Sequence, residues 1–377
     1  MTRGVTTTWP PVSGSRRSAV GAAAISGNRV REGRRLANGT TYRLHVPRGC
    51  LLCSDKLRLG VETDFDQRVY PLLGSIQNSV GMGFLGNEAV NAIANRLRVR
   101  VCAVPSSFAS ARGGMDGRMS FAVDPKEFRR GVQFLVRQEP GVLVIGYLPK
   151  PEYVDIVATA IRDYVGLVVL DPVLGDYEKG LYVSVETARS IRDLLVPRAQ
   201  VVTPNRFEAE VLLDLGRDRS ATERTFLDTF AQLGPQTVII TSFTRDRERR
   251  SLTTLFSNGY EYQKISIPLS QAHTAYGAGD VFAASVASFL ALGTSPFTST
   301  LMATAVASAS VARASQYGGA SVDPVAALDA VRPMGYLQED KARLYCQKFG
   351  ITAALIPATE EQGNRLRFAP PKNRLTS

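Results

Sequence analysis

Histidine is almost absent from this chain: its 377 residues contain two, His45 and His273. Sites built on several imidazoles are therefore excluded, and any general base is expected to be a carboxylate. Cysteine is scarce too, with Cys50, Cys53, Cys102 and Cys346 the only four. Four are too few for a disulfide framework in a chain of this length. Cys50 and Cys53 form a C-x-x-C, but no second pair accompanies it, so a zinc site is not expected. No strand–helix redox pattern surrounds it either, and the four read as ordinary thiols of a reducing compartment. Although hydrophobic residues make up 44% of the chain, no run of about 18 uncharged apolar residues occurs, so no membrane-spanning helix and no membrane partner are expected. Acidic residues are nearly missing from the first 48 positions. Nine arginines from Arg3 to Arg48 stand there against one acid, Glu32, and give that segment +8 of the net +11. The remaining 329 residues carry about +3 and are nearly balanced, which excludes a nucleic-acid platform.

Residues 1–48 are rich in Arg, Ser, Gly and Thr and lack apolar periodicity, so they are expected to be disordered. Their composition fits an organelle transit peptide, or a start codon placed too far upstream. The organisation expected is a disordered or processed basic extension over 1–66, one domain over 67–335, and a tail over 336–377 whose role the sequence does not reveal.

From residue 68 the pattern alternates. Apolar, β-rich runs at Val69–Ile76, Val99–Val104, Val142–Tyr147, Leu167–Leu170, Gln200–Thr203 and Thr237–Thr241 read as strands. Helical spacing falls at Asn87–Leu97, Asp124–Arg137 (with Asp124 as N-cap), Tyr153–Tyr164, Val185–Leu195, Arg206–Leu215 and Thr222–Leu233. Ser251–Ser257 and Tyr260–Ile267 read as an antiparallel pair around Asn258-Gly259. Two further helices cover Ala278–Leu292 and Phe297–Gln316. The alternation predicts an α/β fold, a mostly parallel sheet with helices on both faces. Ligands of such sheets bind beyond the carboxyl ends of the strands, which gathers Tyr147, Asp171, Thr203 and Thr241 at one edge.

Three segments carry candidate chemistry. In Gly277-Ala278-Gly279-Asp280 the small residues let backbone N–H groups approach an anion, and the following helix adds its positive end. Asp280, in the first turn, is placed to accept a proton from a hydroxyl aimed at a phosphorus atom. The bland reading is a glycine-rich turn with an acidic first turn. Asp171-Pro172-Val173-Leu174-Gly175-Asp176 puts two carboxylates on a loop after a strand. That pair suits Mg²⁺, or is simply a turn capped by Asp. Thr203-Pro204-Asn205-Arg206-Phe207-Glu208 reads as a capping box, or as a site where Glu208 holds metal-bound water and Asn205 meets phosphate.

Together and in this order, the segments resemble the ribokinase-like superfamily and, within it, the vitamin B6 (pyridoxal/pyridoxine) kinases. Further matching blocks are Gly74-Ser75-Ile76-Gln77, Leu85-Gly86-Asn87, Ala103-Val104-Pro105, Gly146-Tyr147-Leu148, Gly180–Val183 and Val238–Ser242. The resemblance implies a three-layer α/β/α sandwich, ATP-dependent phosphorylation of a B6 vitamer, Mg²⁺, a monovalent cation (K⁺ or Na⁺), a homodimer and a cytoplasmic setting. Asp280 would be the base, and Gly277, Ala278 and Gly279 the anion hole. Asp171, Thr203, Asn205, Thr241 and Ser242 match nucleotide-side positions. Asp176, Tyr182 and Glu208 match positions around metal and phosphate. Asn78 and Tyr147 match the substrate side. Two departures fall there. Asn78 stands where the family usually has serine, and the flap Ser110-Ala111-Arg112-Gly113-Gly114-Met115 lacks the family His or Tyr. Arg112 is a new charge, long enough to reach phosphate or solvent. A hydroxymethylpyrimidine kinase, another small-molecule kinase and a non-catalytic vitamer-binding paralogue are the competing readings.

Overall fold

The computed structural model describes residues 70–215, 221–269, 276–316, 321–331, 339–347 and 349–356. The extension expected to be disordered lies outside these residues. In chain order the first half comprises β1 (Leu72–Val80), α1 (Asn87–Arg96), β2 (Arg100–Ala109), β3 (Ser120–Ala122), α2 (Pro125–Arg137), β4 (Val142–Ile145), α3 (Pro151–Ala160), β5 (Leu167–Leu170), β6 (Gly175–Asp176) and β7 (Gly180–Leu181). There follow α4 (Val185–Ser190), β8 (Val201–Val202), α5 (Arg206–Leu213), α6 (Glu223–Leu233), β9 (Thr237–Asp246), β10 (Ser251–Ser257) and β11 (Tyr262–Pro268). The described chain ends with α7 (Ala278–Ala291), α8 (Pro296–Gln316), α9 (Pro324–Val331), α10 (Glu339–Gln347) and β12 (Thr352–Leu355).

Ten strands form one sheet in the order β12-β11-β10-β9-β8-β5-β4-β1-β2-β3. The six from β9 to β2 are mutually parallel, and antiparallel strands flank them at both ends. The period-two alternation of strand side chains sorts the core into two layers. Leu73, Val142, Val144, Val169, Val201, Ile239 and Phe256 pack on one face with Ile93, Val286 and Leu301 of the helices. Ile76, Leu143, Ile145, Val168, Leu170, Val202 and Ile240 pack on the other with Phe128, Ile156, Phe226 and Phe230. Burial on both faces is why these strands read as continuous apolar runs. The expected α/β/α sandwich is the architecture observed.

Individual elements differ from expectation where tertiary contacts override local pattern. β2 continues through Pro105 to Ala109, because its pairing with β1 shifts register after Gln77↔Pro105, a bulge that accommodates the missing N–H. The helix expected over 185–195 ends as α-helix at Ser190 and continues as a π-helical turn over Ile191–Leu195. Helix α2 begins as its sequence predicts: Asp124 accepts from the N–H groups of Lys126 (2.9 Å) and Glu127 (3.3 Å), with Pro125 in the first turn. The segment expected as a tail contributes α10 and the edge strand β12, which pairs antiparallel with β11. Ala342, Cys346 and Ile351 are buried in the same core layer as Leu301.

Candidate active site

Strands β4, β5, β8 and β9 are neighbours and parallel, so the residues that follow them meet at one sheet edge. Asp171 leaves β5 with its N–H bonded to the Ile145 carbonyl (2.8 Å), and Thr203 leaves β8 with its N–H on the Leu170 carbonyl (3.0 Å). The Thr203 hydroxyl donates to Asp171 Oδ1 at 3.1 Å. Thr241 pairs with Asn205 as an isolated bridge, and Ser242 beside it takes a left-handed conformation at φ 51°.

The first turn of α7 faces this edge. Gly277 precedes it at φ 94°, and a Cβ there would lie 2.6 Å from the Phe84 carbonyl oxygen, so both conformation and space demand glycine. A Cβ on Gly279 would meet nothing within 4 Å, so the backbone is open to an approaching group. The leading N–H groups of the helix have no intrahelical acceptor and are available to an anion. Asp280 Oδ1 accepts from the Gly86 N–H at 2.7 Å, tying α7 to the loop after β1. Burial pushes the Asp280 carboxyl up to about 6, against the opposing Gly86 N–H and with help from Glu88.

Glu208 is fully inside. Its Oε1 accepts from Leu174 N–H (2.8 Å) and Gly175 N–H (3.4 Å), and its Oε2 from Asn205 N–H (2.8 Å). Asn205 Oδ1 in turn accepts from Glu208 N–H at 2.9 Å, so the capping box is complete. Val173, a β-branched residue at φ 43°, makes the sharp turn from which the Leu174 and Gly175 N–H groups reach Glu208. Burial raises Glu208 to about 7; its N–H partners oppose this, and Asp280 adds to it. Asp171 is raised well above the carboxylate range by burial, then by Glu208 and Asp280. Burial thus raises the proton affinity of all three carboxylates, Asp280 adds to it at Glu208 and at Asp171, and Glu208 adds to it at Asp171, with no basic side chain among the causes. Such a cluster favours an incoming cation or proton.

Asp176 stands apart from that trio. Its Oδ1 accepts from the N–H groups of Glu178 (2.8 Å) and Lys179 (2.7 Å), and its Oδ2 from the Tyr182 hydroxyl. Burial alone would raise it, but Tyr182, those N–H groups and the Lys179 charge hold it below its ordinary value. Asp176 and Tyr182 are therefore brought together, with Glu208 close enough to raise Tyr182. Among the described residues no group of three or more His, Cys, Asp or Glu is arranged to hold a metal ion by itself.

Of the two residues expected on the substrate side, Asn78 is half-buried against Gly86, where an added Cβ would meet the Asn78 carbonyl and Oδ1. Tyr147, also half-buried, is raised by burial, with Arg118, three residues beyond the flap, opposing the rise. Arg112 is not simply solvated: its guanidinium lies 4.1 Å from the centre of the Tyr276 ring. A buried polar network escaped the sequence reading. Ser75 donates to Asn87 Oδ1 (2.6 Å), Gln77 to Ser75 Oγ (3.0 Å), and Asn87 Nδ2 to the Gln77 carbonyl (3.1 Å). Its signal lay in the blocks Gly74–Gln77 and Leu85–Asn87, which are separate in the chain and adjacent only in the fold. A cavity of about 390 Å³ beside the β6–β7 hairpin, lined by Tyr177, Leu181, Arg189, Phe207 and Val211 among others, contains none of the expected site residues.

Residues 115–326 match the family model described as phosphomethylpyrimidine kinase. A pyridoxal kinase of Rubrobacter xylanophilus is 32% identical over 235 residues, covering 58% of this chain and 79% of the relative. A pyridoxine/pyridoxal/pyridoxamine kinase of Bordetella bronchiseptica is 32% identical over 185 residues, 45% of this chain and 62% of the relative. The solved structure of pyridoxal kinase from Staphylococcus aureus with ADP superposes with a TM-score of 0.64, covering 76% of this chain and 99% of that one; at 18% identity it speaks for the fold.

Proposed function

The chain belongs to the pyridoxal kinase family of the ribokinase-like superfamily, and from that premise we propose that it transfers the γ-phosphate of ATP to the 5′-hydroxymethyl group of pyridoxal, pyridoxine or pyridoxamine. The observation that carries the proposal is Asp280: a carboxylate raised to about 6, fixed by Gly86, in the first turn of a helix whose open end suits a phosphate. At neutral pH it is mostly ionised, yet basic enough to take the hydroxyl proton as the oxygen attacks phosphorus. Gly277, Ala278 and Gly279 supply N–H groups to the transferred phosphoryl group. Asp171, Thr203, Asn205, Thr241 and Ser242 line the nucleotide side, and Asn78 and Tyr147 hold the vitamer ring.

The residues present fit magnesium of one kind. Asp171, Glu208 and Asp280 offer negative charge without a basic partner, while the Glu208 and Asp176 oxygens are already engaged by N–H and O–H donors. That set suits an ion held mainly by phosphate and water, with Asp176, Tyr182 and Glu208 ordering its surroundings. Magnesium bound with the nucleotide would neutralise part of the triphosphate charge. Chloride salts of K⁺ and Na⁺ in the same assay would reveal the monovalent cation, and light scattering the homodimer. No helix among the described residues is long and apolar enough to cross a membrane, and we place the enzyme in the cytoplasm.

The test is ADP release across pyridoxal, pyridoxine, pyridoxamine, hydroxymethylpyrimidine and ribose. Turnover concentrated in the three vitamers supports the proposal. Turnover with hydroxymethylpyrimidine alone would favour the hydroxymethylpyrimidine kinase reading, and binding without turnover the non-catalytic reading.

A further inference from the structure

Tyr276, immediately before Gly277, carries two cations. Arg112 of the flap lies 4.1 Å from its ring centre, and Lys179 of the β6–β7 hairpin lies 4.5 Å from it. These three residues come from loops far apart in sequence, and they converge beside the positive end of α7. We infer that Arg112 and Lys179, held against Tyr276, form a cationic clamp for the phosphate leaving ATP, with Tyr276 as the positioning residue; the inference rests on the kinase reading above.

The site edge holds Asp171, Glu208, Asp280 and Asp176; the Lys179 charge acts on Asp176, and neither Lys179 nor Arg112 makes a close ion pair among the described residues. A triphosphate entering that edge adds more negative charge, and phosphoryl transfer requires it to be neutralised at the oxygens of the moving group. Exposure sets Arg112 apart from the rest of its loop. Residues 113–122 are exposed throughout, whereas Arg112 at the root of the flap is half-buried. Its guanidinium also makes a long 3.3 Å hydrogen bond to the adjacent Gly113 carbonyl. An arginine with a free solvent path that instead turns inward onto an aromatic face is being positioned.

The loop that carries Arg112 also reaches Tyr147 through Arg118. Arg118 donates to the Ala111 carbonyl at 2.8 Å and lies close enough to lower the Tyr147 phenol. One loop therefore reaches Tyr147 on the vitamer side and Tyr276 on the phosphate side. Cβ atoms on Gly113, Gly114 and Gly117 would touch nothing within 4 Å, so the tip of the loop stands open, while the Ser110 N–H on the Met119 carbonyl (2.9 Å) closes its base. The family His or Tyr that this flap lacks is thus answered by a cation at the other end of the substrate pair.

In the reaction the vitamer oxygen forms a bond to the γ-phosphorus, the bond from that phosphorus to the β-γ bridging oxygen breaks, the electron pair leaves with ADP, and the proton passes to Asp280. The clamp makes and breaks no bond. Its cations leave the ring face for the phosphoryl oxygens and return when product departs.

The test has a binding arm and a turnover arm. Calorimetry would compare ADP with a methylene-bridged ATP analogue on the wild type, Arg112→Ala, Lys179→Ala and the double variant. The clamp predicts nearly unchanged ADP affinity, and a preference for the ATP analogue over ADP that falls about tenfold or more in the double variant. kcat for the vitamer should fall more than about tenfold with vitamer KM little changed. Tyr276→Leu should lower kcat at least about fivefold, and Tyr276→Phe should recover most of it because the ring face remains. An unchanged analogue-to-ADP preference would overturn the clamp, as would a Phe variant as impaired as Leu. A wild type inactive on every substrate of the panel would sink the kinase reading instead, and the calorimetry would still judge the clamp.

Discussion

Replacing Asp280 by asparagine should cut turnover severely and at the same time stabilise the fold at alkaline pH. The carboxyl sits at about 6 against an ordinary 3.8. That difference penalises the ionised form by up to about 3 kcal/mol. Asp280 is only half-buried, and solvent screening brings the figure to about 1–3 kcal/mol. The sign follows from proton binding. Between about pH 4 and pH 6 the folded chain holds a proton that the unfolded chain has released, so stability falls as pH rises through that window. The penalty is complete above about pH 6 and absent below about pH 4. The asparagine side chain cannot ionise, while its Oδ1 still accepts from the Gly86 N–H. Urea denaturation of both proteins should show the variant ahead by about 1–3 kcal/mol at pH 8, with the lead vanishing towards pH 4. Turnover at pH 8 should drop by about 10²–10⁴-fold, the usual worth of a general base. A variant that is less stable than wild type at pH 8, or that keeps wild-type kcat, would refute the reasoning.

Other outcomes follow from single features. Wild-type kcat should decline as pH drops through about 6, where Asp280 takes up its proton; a flat profile between pH 5 and 8 would contradict its role as base. Gly277→Ala should cost about 1–3 kcal/mol in thermal or urea unfolding, because φ 94° is strained for alanine and the Phe84 carbonyl stands 2.6 Å from the new Cβ. Asp124→Ala should cost about 1 kcal/mol through loss of the α2 cap, with kcat unchanged. A chain beginning near Pro47 should fold and turn over normally, whereas one ending at Gly335 should lose at least about 3 kcal/mol, since Ala342, Cys346 and Ile351 are buried and β12 covers the β11 edge.

Much of the fold was legible because its strands are buried on both faces and its helices carry local signals. The strand Leu167–Leu170 and the cap Asp124 stand where the sequence puts them for those reasons. The Gly277–Asp280 turn was legible as a helix start because small residues precede an acidic first turn, and the structure shows that Gly277 is required there at φ 94°. The carboxylate trio was only partly so: Asp171, Glu208 and Asp280 could be named, but the raised proton affinity of each depends on burial and distance. The Glu208 capping box is present as the sequence offered it, but its hold on the Leu174 and Gly175 N–H groups was not legible, because it joins a loop about 33 residues upstream. Arg112, Lys179 and Tyr276 belong to three loops, and nothing in the spacing of 112, 179 and 276 predicts that they meet. The edge strand β12 is short and exposed on most positions, so it lacks the apolar run that marks a central strand.

The most direct measurement of the central claim is product formation. Purified protein would be given ATP, Mg²⁺ and pyridoxal, with pyridoxal 5′-phosphate and ADP quantified chromatographically in the same sample. The account predicts equimolar appearance of both, and neither above background with Asp280→Asn. ADP without the phosphorylated vitamer, or equal product from the Asn variant, would contradict it.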